Sequence, residues 1–220
     1  SARRAIAEFN AQFVIFPELT LTSYPPEDLL LRPSLAPRMK VAMDRILAAK
    51  LPTTLVFGYP ESSDGKLYNS LAVVDQGKLL ATYRKQCLPN YQVFDERRYF
   101  QAGNQPCVLE IHGLRLGFTI CEDLWEEMPT QQFEHQSLDL LLNINASPFH
   151  RGKACERRQL LKRRAQAIGA PIAYVNLVGG QDELVFDGGS LAVDSVGNAV
   201  VQAPQFEAGL YPAVFKLSSS

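Results

Sequence analysis

The sequence has few of the residues from which metal centres and disulfide frameworks are built. It contains 4 cysteines and 3 histidines in 220 residues, and no two cysteines form a Cys-x-x-Cys pair. The histidines, at His112, His135 and His150, do not have the spacing of zinc ligands. We therefore expect no metal site and no disulfide framework, and the cysteine usage favours a reducing, cytoplasmic location.

A strong net charge and a long apolar run are also missing. The formal charge is −1 at pH 7, which gives no general attraction to nucleic acid or to an anionic membrane. No apolar stretch approaches the roughly 20 residues that span a bilayer. The chain opens on Ser1-Ala2-Arg3-Arg4, which is typical of a helix start and not of a signal peptide. We expect neither a nucleic-acid partner nor a membrane partner.

The residues that are present indicate a layered α/β domain. Hydrophobic residues make up 46% and charged residues 20% of the chain, as in folded globular proteins. Turn sequences on either side of residues 71–74 predict a β-meander over residues 54–83. Apolar spacing predicts helices over residues 35–49 and 154–168. Mixed strands with two or three substantial helices favour two sheets with helices outside them.

The second of these helices carries a row of basic residues opposite its apolar face. Because the protein is nearly neutral overall, we interpret this row as a solvated face or a subunit contact and not as a nucleic-acid patch. Its members are Arg157, Arg158, Lys162, Arg163 and Arg164.

Three predicted strands end in residues that can take part in chemistry, namely Glu18, Lys85 and Cys121. A free thiol has a pKa of about 8.5, so a nearby carboxylate must take its proton before it can attack. The attack builds negative charge on oxygen, which an ammonium group and a backbone N–H can stabilise. These parts suffice to cleave an amide through a thioester, and we expect them to converge in one cleft. Taken singly, each has a simpler explanation: a buried sulfur, a loop cap and a surface charge.

The segments around these residues resemble the three catalytic motifs of the nitrilase (carbon–nitrogen hydrolase) superfamily, in the same order. They are Phe16-Pro17-Glu18-Leu19, Tyr83-Arg84-Lys85 and Ile120-Cys121-Glu122-Asp123. Four longer stretches are similar, more narrowly, to the glutamine-hydrolysing domain of glutamine-dependent NAD synthetases. These are residues 23–29, 88–96, 145–153 and 178–189.

The resemblance implies a nitrilase-like four-layer α-β-β-α sandwich over residues 1–220, a single domain that lacks the family's first strand. It implies that Glu18 is the general base, Lys85 the transition-state stabiliser and Cys121 the nucleophile. Glu96 resembles the additional glutamate that braces the lysine in this superfamily. The alternative for Glu96 is a surface pair with the neighbouring arginines at positions 97 and 98.

The same resemblance suggests which residues bind the substrate. Tyr91, Ser147 and Lys153 correspond to positions that hold the amino-acid head of glutamine. Lys153 stands where an arginine is expected, which puts bidentate pairing with a carboxylate in question. The backbone N–H of Glu122 would complete the oxyanion pocket. Trp125 would form a wall of the pocket, although ordinary core packing explains it equally well.

By resemblance, the chain hydrolyses L-glutamine and supplies ammonia for the amidation of deamido-NAD. That second reaction needs an ATP-dependent synthetase domain with a Ser-Gly-Gly-x-Asp-Ser loop, a motif that does not occur in this sequence. ATP and magnesium would belong to that domain, and we expect no cofactor here. The superfamily also favours a homo-oligomer. Two alternatives remain open: a free-standing amidase or carbamoylase of the same superfamily, and a non-catalytic binding module.

Overall fold

The computed structural model describes residues 1–91 and 94–215. Gln92 and Val93, which belong to the resembling stretch 88–96, lie outside the described residues. The chain divides into two compact units, Ser1–Gln105 and Pro106–Ser220. The single-domain organisation expected for residues 1–220 stays a prediction.

The first unit is built on a four-stranded sheet in the order β1-β2-β3-β4. Strand β1 runs parallel to β2, and the other neighbours are antiparallel, so the predicted β-meander is confirmed. The predicted helix over residues 35–49 is also confirmed, although none of its residues is fully buried. The elements are α1 Ala2–Phe9, β1 Phe13–Ile15, a 3-10 turn Glu27–Leu31, α2 Leu35–Ala48, β2 Thr54–Ser63, β3 Lys66–Asp75, β4 Lys78–Arg84 and α3 Glu96–Tyr99.

The second unit contains a six-stranded sheet in the order β12-β11-β8-β7-β6-β5 and a separate β9–β10 hairpin. Its three central strands, β6, β7 and β8, are parallel, and the outer neighbours pair in the antiparallel sense. The elements are β5 Cys107–Ile111, β6 Leu114–Ile120, a 3-10 turn Cys121–Leu124, α4 Glu127–Gln131, β7 Leu140–Asn145, α5 Lys153–Ile168, β8 Ile172–Asn176, β9 Val178–Gln181, β10 Leu184–Asp187, β11 Leu191–Val193 and β12 Ala199–Gln202.

Helix α5 packs against this sheet through Leu160, Leu161 and Ala165, which belong to the buried core of the unit. Arg157 and Arg164 lie one turn away from these residues on the same side of the helix, because residues three and four apart share a helix face. Arg157 is buried, and Arg164 donates to the backbone carbonyls of the residues at 124 and 125. The interpretation of all five basic residues as one solvated face was therefore wrong for these two.

The parallel strands determine where polar groups collect in this unit. Carboxyl ends of parallel strands lie at one edge of a sheet, and this edge is a common place for ligands in α/β proteins. Cys121 follows β6, Ser147 follows β7 closely, and Asn176 ends β8, so all three lie near that edge. Within the described residues, no helix combines the length and the apolar character that crossing a membrane requires.

Candidate active site

Glu18 is held by a close approach of two backbone segments in the first unit. It follows β1 after Pro17 and is only 1% exposed. The N–H of Gly58 in β2 donates to the carbonyl of Pro17 at 3.3 Å. A Cβ atom on Gly58 would lie 2.2 Å from the backbone nitrogen of Leu19, a distance that no side chain tolerates. Gly58 therefore allows the segment carrying Glu18 to lie directly against β2.

Lys85 is fixed through its own backbone and through its neighbour. Its N–H donates to the carbonyl of Asn69 at 2.9 Å, and its carbonyl accepts from the N–H of Gly103 at 2.8 Å. The preceding Arg84 forms a bidentate ion pair with Glu61, with N–O distances of 2.8 and 2.7 Å. Bidentate guanidinium–carboxylate pairs restrict geometry as well as adding energy. The backbone that carries Lys85 is thus held on both sides.

The side chains of this unit converge on the ammonium group of Lys85. Its Nζ lies 2.8 Å from Glu18 Oε1 and 2.8 Å from Glu96 Oε1, and all three side chains are buried. Two residues that the sequence analysis missed complete the arrangement, which we call the carboxylate–lysine cluster. The Tyr24 hydroxyl donates to Glu96 Oε1 at 2.8 Å, and Asn69 Nδ2 donates to Glu18 Oε1 at 2.7 Å.

The alternative for Glu96, a surface pair with its neighbouring arginines, does not match this geometry, because the side chain is 5% exposed. Two buried carboxylates share one ammonium group here, which leaves an excess of negative charge when both are ionised. Burial raises the pKa of Glu96 to about 7, against the opposing charge of Lys85 and with the added repulsion of Glu18. Near neutral pH the cluster therefore retains a proton that an exposed glutamate would have lost.

Cys121 begins the 3-10 turn that follows β6 in the second unit. It is buried and has a positive φ of 46°, which is unusual for a residue with a side chain. Backbone strain of this kind costs on the order of 1–3 kcal/mol and is concentrated at functional sites. Asp123, itself fully buried, stabilises the turn because its carboxylate accepts the N–H of Ile120 at 3.1 Å. Glu122 follows the thiol directly, and its carbonyl accepts the N–H of Trp125 at 2.9 Å.

Two of the expected substrate-binding residues, Lys153 and Trp125, contact each other. The ammonium of Lys153 lies 3.8 Å from the centre of the Trp125 ring, within the range of a cation–π interaction. The same ammonium lies 3.5 Å from a carboxylate oxygen of Glu156. Trp125 is partly buried and packs against the core of the unit, as its alternative role in core packing requires, and its expected role as a pocket wall stays a prediction.

Ser147 lies in a buried polar network that the sequence analysis did not find. Its N–H donates to the side-chain oxygen of Asn176 at 2.9 Å, and its carbonyl accepts from Arg157 Nη2 at 2.8 Å. Arg157 Nη1 in turn donates to both oxygens of Asp187, at 2.8 and 2.9 Å. The spacing of the apolar residues in α5 places Arg157 on the buried side of the helix, and this spacing could have predicted its burial. Its charge suggested instead that it faces solvent.

The remaining predicted residue, Tyr91, is half exposed, and its ring makes an edge contact with Phe94 at 5.5 Å between centroids. The structure thus brings three predicted residues together in the first unit, namely Glu18, Lys85 and Glu96. The second unit contains Cys121, Glu122, Trp125, Ser147 and Lys153. The expected meeting of the thiol with the carboxylate–lysine cluster stays a prediction. Across the described ranges, no group of three or more His, Cys, Asp or Glu side chains is arranged to hold a metal ion.

Comparison with known proteins identifies several relatives. A glutamine-dependent NAD(+) synthetase from Xanthomonas campestris pv. campestris is 46% identical over 201 residues, which are 90% of this chain and 36% of that protein. The structure of a glutamine-dependent NAD+ synthetase from Acinetobacter baumannii, in complex with ADP, matches all of this chain and 44% of its own. Its TM-score is 0.92 and its identity 39%.

A smaller protein also matches over most of its length. The structure of an amidase from Nesterenkonia sp. AN1 with acrylamide added to its active-site cysteine covers 98% of this chain and 84% of that protein. Its TM-score is 0.87 and its identity 25%. These similarities confirm the predicted nitrilase-like α/β fold, whereas the chain spans less than half the length of the synthetases it matches. The family model for carbon–nitrogen hydrolases matches residues 1–219, and the chain belongs to that family.

Proposed function

We propose that this chain hydrolyses the side-chain amide of L-glutamine and supplies the ammonia to the synthetase part of a glutamine-dependent NAD synthetase. The observation that carries the proposal is the carboxylate–lysine cluster, in which a buried ammonium lies 2.8 Å from each of two buried glutamates. Such a cluster provides a base and a cation in a site shielded from water, as acyl transfer requires. The synthetase relatives, at 46% identity for the first of them, support glutamine as the amide.

In the proposed first half-reaction, the carboxylate of Glu18 takes the thiol proton of Cys121. The sulfur attacks the amide carbon and forms a C–S bond, and the carbonyl oxygen becomes an oxyanion. The ammonium of Lys85 and the backbone N–H of Glu122 stabilise that charge, and one such donor contributes roughly 10²- to 10³-fold in kcat. Protonated Glu18 then gives its proton to the amide nitrogen, the C–N bond breaks and ammonia leaves.

The second half-reaction reverses these roles with water as the nucleophile. Glu18 takes a proton from water, and the resulting hydroxide attacks the thioester carbon. The C–S bond breaks, Cys121 recovers a proton from Glu18, and glutamate is released. Glu96 and Lys85 remain bonded throughout in this proposal, which keeps the ammonium charged and oriented.

We assign the amino-acid head of glutamine to Tyr91, Ser147 and Lys153, with Trp125 as a wall of the pocket. Lys153 offers a single ammonium to the substrate carboxylate, where an arginine would offer a bidentate fork. ATP and magnesium act in the synthetase part, and this chain needs no cofactor for hydrolysis. A cytoplasmic location and a homo-oligomeric state also belong to this proposal.

Replacing the nucleophile tests the assignment. Cys121→Ala should abolish the release of ammonia from L-glutamine without unfolding the protein, because the change removes one buried sulfur atom. Cys155, the exposed cysteine of α5, is the matched control, and Cys155→Ala should retain activity. Iodoacetamide labelling followed by peptide mass spectrometry should give fast alkylation at Cys121. Glutamine turnover by Cys121→Ala would refute the proposal.

The second candidate is a free-standing amidase that acts on another small amide. The match to the Nesterenkonia amidase, which covers 84% of that protein, favours it. A panel that compares L-glutamine with propionamide and an N-carbamoyl amino acid separates the two candidates. The first requires kcat/KM for glutamine to exceed the others by at least about 100-fold, since substrate polar groups matched by a site discriminate strongly. Similar values for all three amides would favour the second candidate.

A further inference from the structure

Asn69 contacts all three ionisable groups that meet at the centre of the carboxylate–lysine cluster, namely Glu18, Lys85 and Glu96. It lies in β3 and is fully buried. Its side-chain nitrogen donates to Glu18 Oε1 at 2.7 Å and approaches Glu96 Oε2 at 3.4 Å. Its backbone carbonyl accepts the N–H of Lys85 at 2.9 Å. One residue outside the three catalytic motifs is therefore connected to both carboxylates and to the lysine that they share.

The chemistry of the contacts fixes the orientation of the Asn69 amide. The opposite orientation would place its carbonyl oxygen against the carboxylate oxygen of Glu18, where two acceptors would repel each other. In the observed orientation the side-chain oxygen of Asn69 has no hydrogen-bond partner within the described part of the chain. The polar contacts of this side chain are thus the ones that its two amide hydrogens make with the glutamates.

A neutral donor is suited to this position for an electrostatic reason. The cluster already contains two carboxylates and one ammonium, so an aspartate at position 69 would add a third buried negative charge. An amide donates hydrogen bonds without changing the net charge. Hydrogen bonds donated to a carboxylate favour its ionised form, and Glu18 must be ionised to act as a base.

We propose that Asn69 is a positioning residue for the amide hydrolysis proposed above. It supplies the carboxylate of Glu18 with a neutral hydrogen-bond donor and fixes the separation of Glu18 and Glu96 on either side of Lys85. The Tyr24 hydroxyl supports the second carboxylate, because it donates to Glu96 Oε1 at 2.8 Å. The expected changes in kcat and KM rest on the proposed function. The expected effect of Asn69 on the two carboxylates does not depend on it.

Asn69→Leu, which is similar in size and donates nothing, is the test variant. Removing the donor should shift the acid limb of the pH profile of kcat/KM to higher pH by about 1–2 units, given the strength of hydrogen bonds to charged groups. We expect kcat to fall at least tenfold with little change in KM.

Ser70→Ala is the matched control. Ser70 is the next residue of β3, also fully buried, and its hydroxyl donates at 2.8 Å to Glu61, outside the cluster. The acid limb of the pH profile of kcat/KM should be the same in Ser70→Ala as in the unmodified protein.

A measurement without turnover separates this inference from the proposed function. Carbon-13 NMR of labelled glutamate side chains should show the Glu18 carboxyl titrating at higher pH in Asn69→Leu than in the unmodified protein, and no such change in Ser70→Ala. If the unmodified protein hydrolyses no amide but this titration shifts, the proposed function fails and the role of Asn69 stands. If Asn69→Leu does not fold, Asn69→Ala, which only removes atoms, gives the same readout. An unchanged Glu18 titration in a folded variant would overturn the inference.

Discussion

Replacing Glu96 by glutamine should make the stability of the protein less dependent on pH. The pKa of this carboxyl is raised from its ordinary 4.5 to about 7, first by burial and then by the charge of Glu18, against the attraction of Lys85. Glutamine has nearly the same shape and cannot ionise. Its side-chain oxygen can still accept from Lys85 and from Tyr24, which both donate to this position at 2.8 Å. The substitution therefore removes the titration and retains most of the contacts.

The sign and size follow from proton linkage. Between pH 4.5 and about 7, the folded protein holds a proton on Glu96 that the unfolded chain has lost. The free energy of unfolding must then decrease as the pH rises through this window. At about 1.4 kcal/mol per pH unit, the loss amounts to about 3 kcal/mol. In Glu96→Gln this loss is absent, so the variant should gain about 3 kcal/mol relative to the unmodified protein across the same window.

Urea unfolding at a series of pH values from about 4 to about 8 measures this difference directly. Glu61→Gln provides a control of opposite sign. Burial opposes the ionisation of Glu61, but hydrogen bonds from Arg84 and Ser70 outweigh it and lower its pKa. The stabilisation that ionised Glu61 gives to the folded protein is therefore present at neutral pH and is lost as the pH falls below the ordinary glutamate pKa of 4.5. A difference between Glu96→Gln and the unmodified protein that stays constant from about pH 4.5 to about pH 7 would refute the reasoning.

Two further predictions concern a close approach of the backbone and a buried ion pair. Gly58→Ala places a Cβ atom 2.8 Å from the backbone carbonyl carbon of Glu18; the strain should destabilise the protein by about 1–3 kcal/mol and lower kcat. Gly179→Ala, with no atom within 4 Å of its new Cβ, should show neither effect in thermal unfolding and kinetics. Arg157→Met leaves the buried carboxylate of Asp187 unpaired and should cost about 3–5 kcal/mol in urea unfolding. Adding Asp187→Asn should recover part of this loss, and equal stability of the single and double variants would contradict a buried ion pair.

The sequence predicted the residues that stand where a strand ends. Glu18, Lys85 and Cys121 each follow an apolar run that stops at a charged or reactive side chain, and such a change is visible without coordinates. The same rule predicted β6 up to Ile120, where the strand does end. The resemblance then added Glu96, which no pattern in its own segment distinguishes from a surface residue.

Residues within regular elements could not be found in this way. Asn69 lies in the middle of β3, and its polar side chain has no local signal that separates it from an ordinary polar interruption. Tyr24 is 72 residues from Glu96 in sequence, so their hydrogen bond depends on tertiary structure alone. Arg157 was misinterpreted for a related reason, because its charge was given more weight than its position on the apolar side of α5. Burial of a charge becomes predictable only when its partner, here Asp187, is known.

The excess negative charge of the carboxylate–lysine cluster has a consequence for the proposed reaction. In a lone Glu18–Lys85 ion pair, the buried ammonium of Lys85 would lose its partner charge whenever Glu18 took up a proton. Glu96 bonds the same nitrogen at the same distance of 2.8 Å, so the ammonium stays hydrogen-bonded when Glu18 takes a proton. Above about pH 7, where Glu96 is ionised, protonation of Glu18 leaves one carboxylate facing one ammonium. The second glutamate thus keeps the ammonium of Lys85 paired during the proposed proton transfer, and its cost to folding above about pH 7 is the other side of the same interaction.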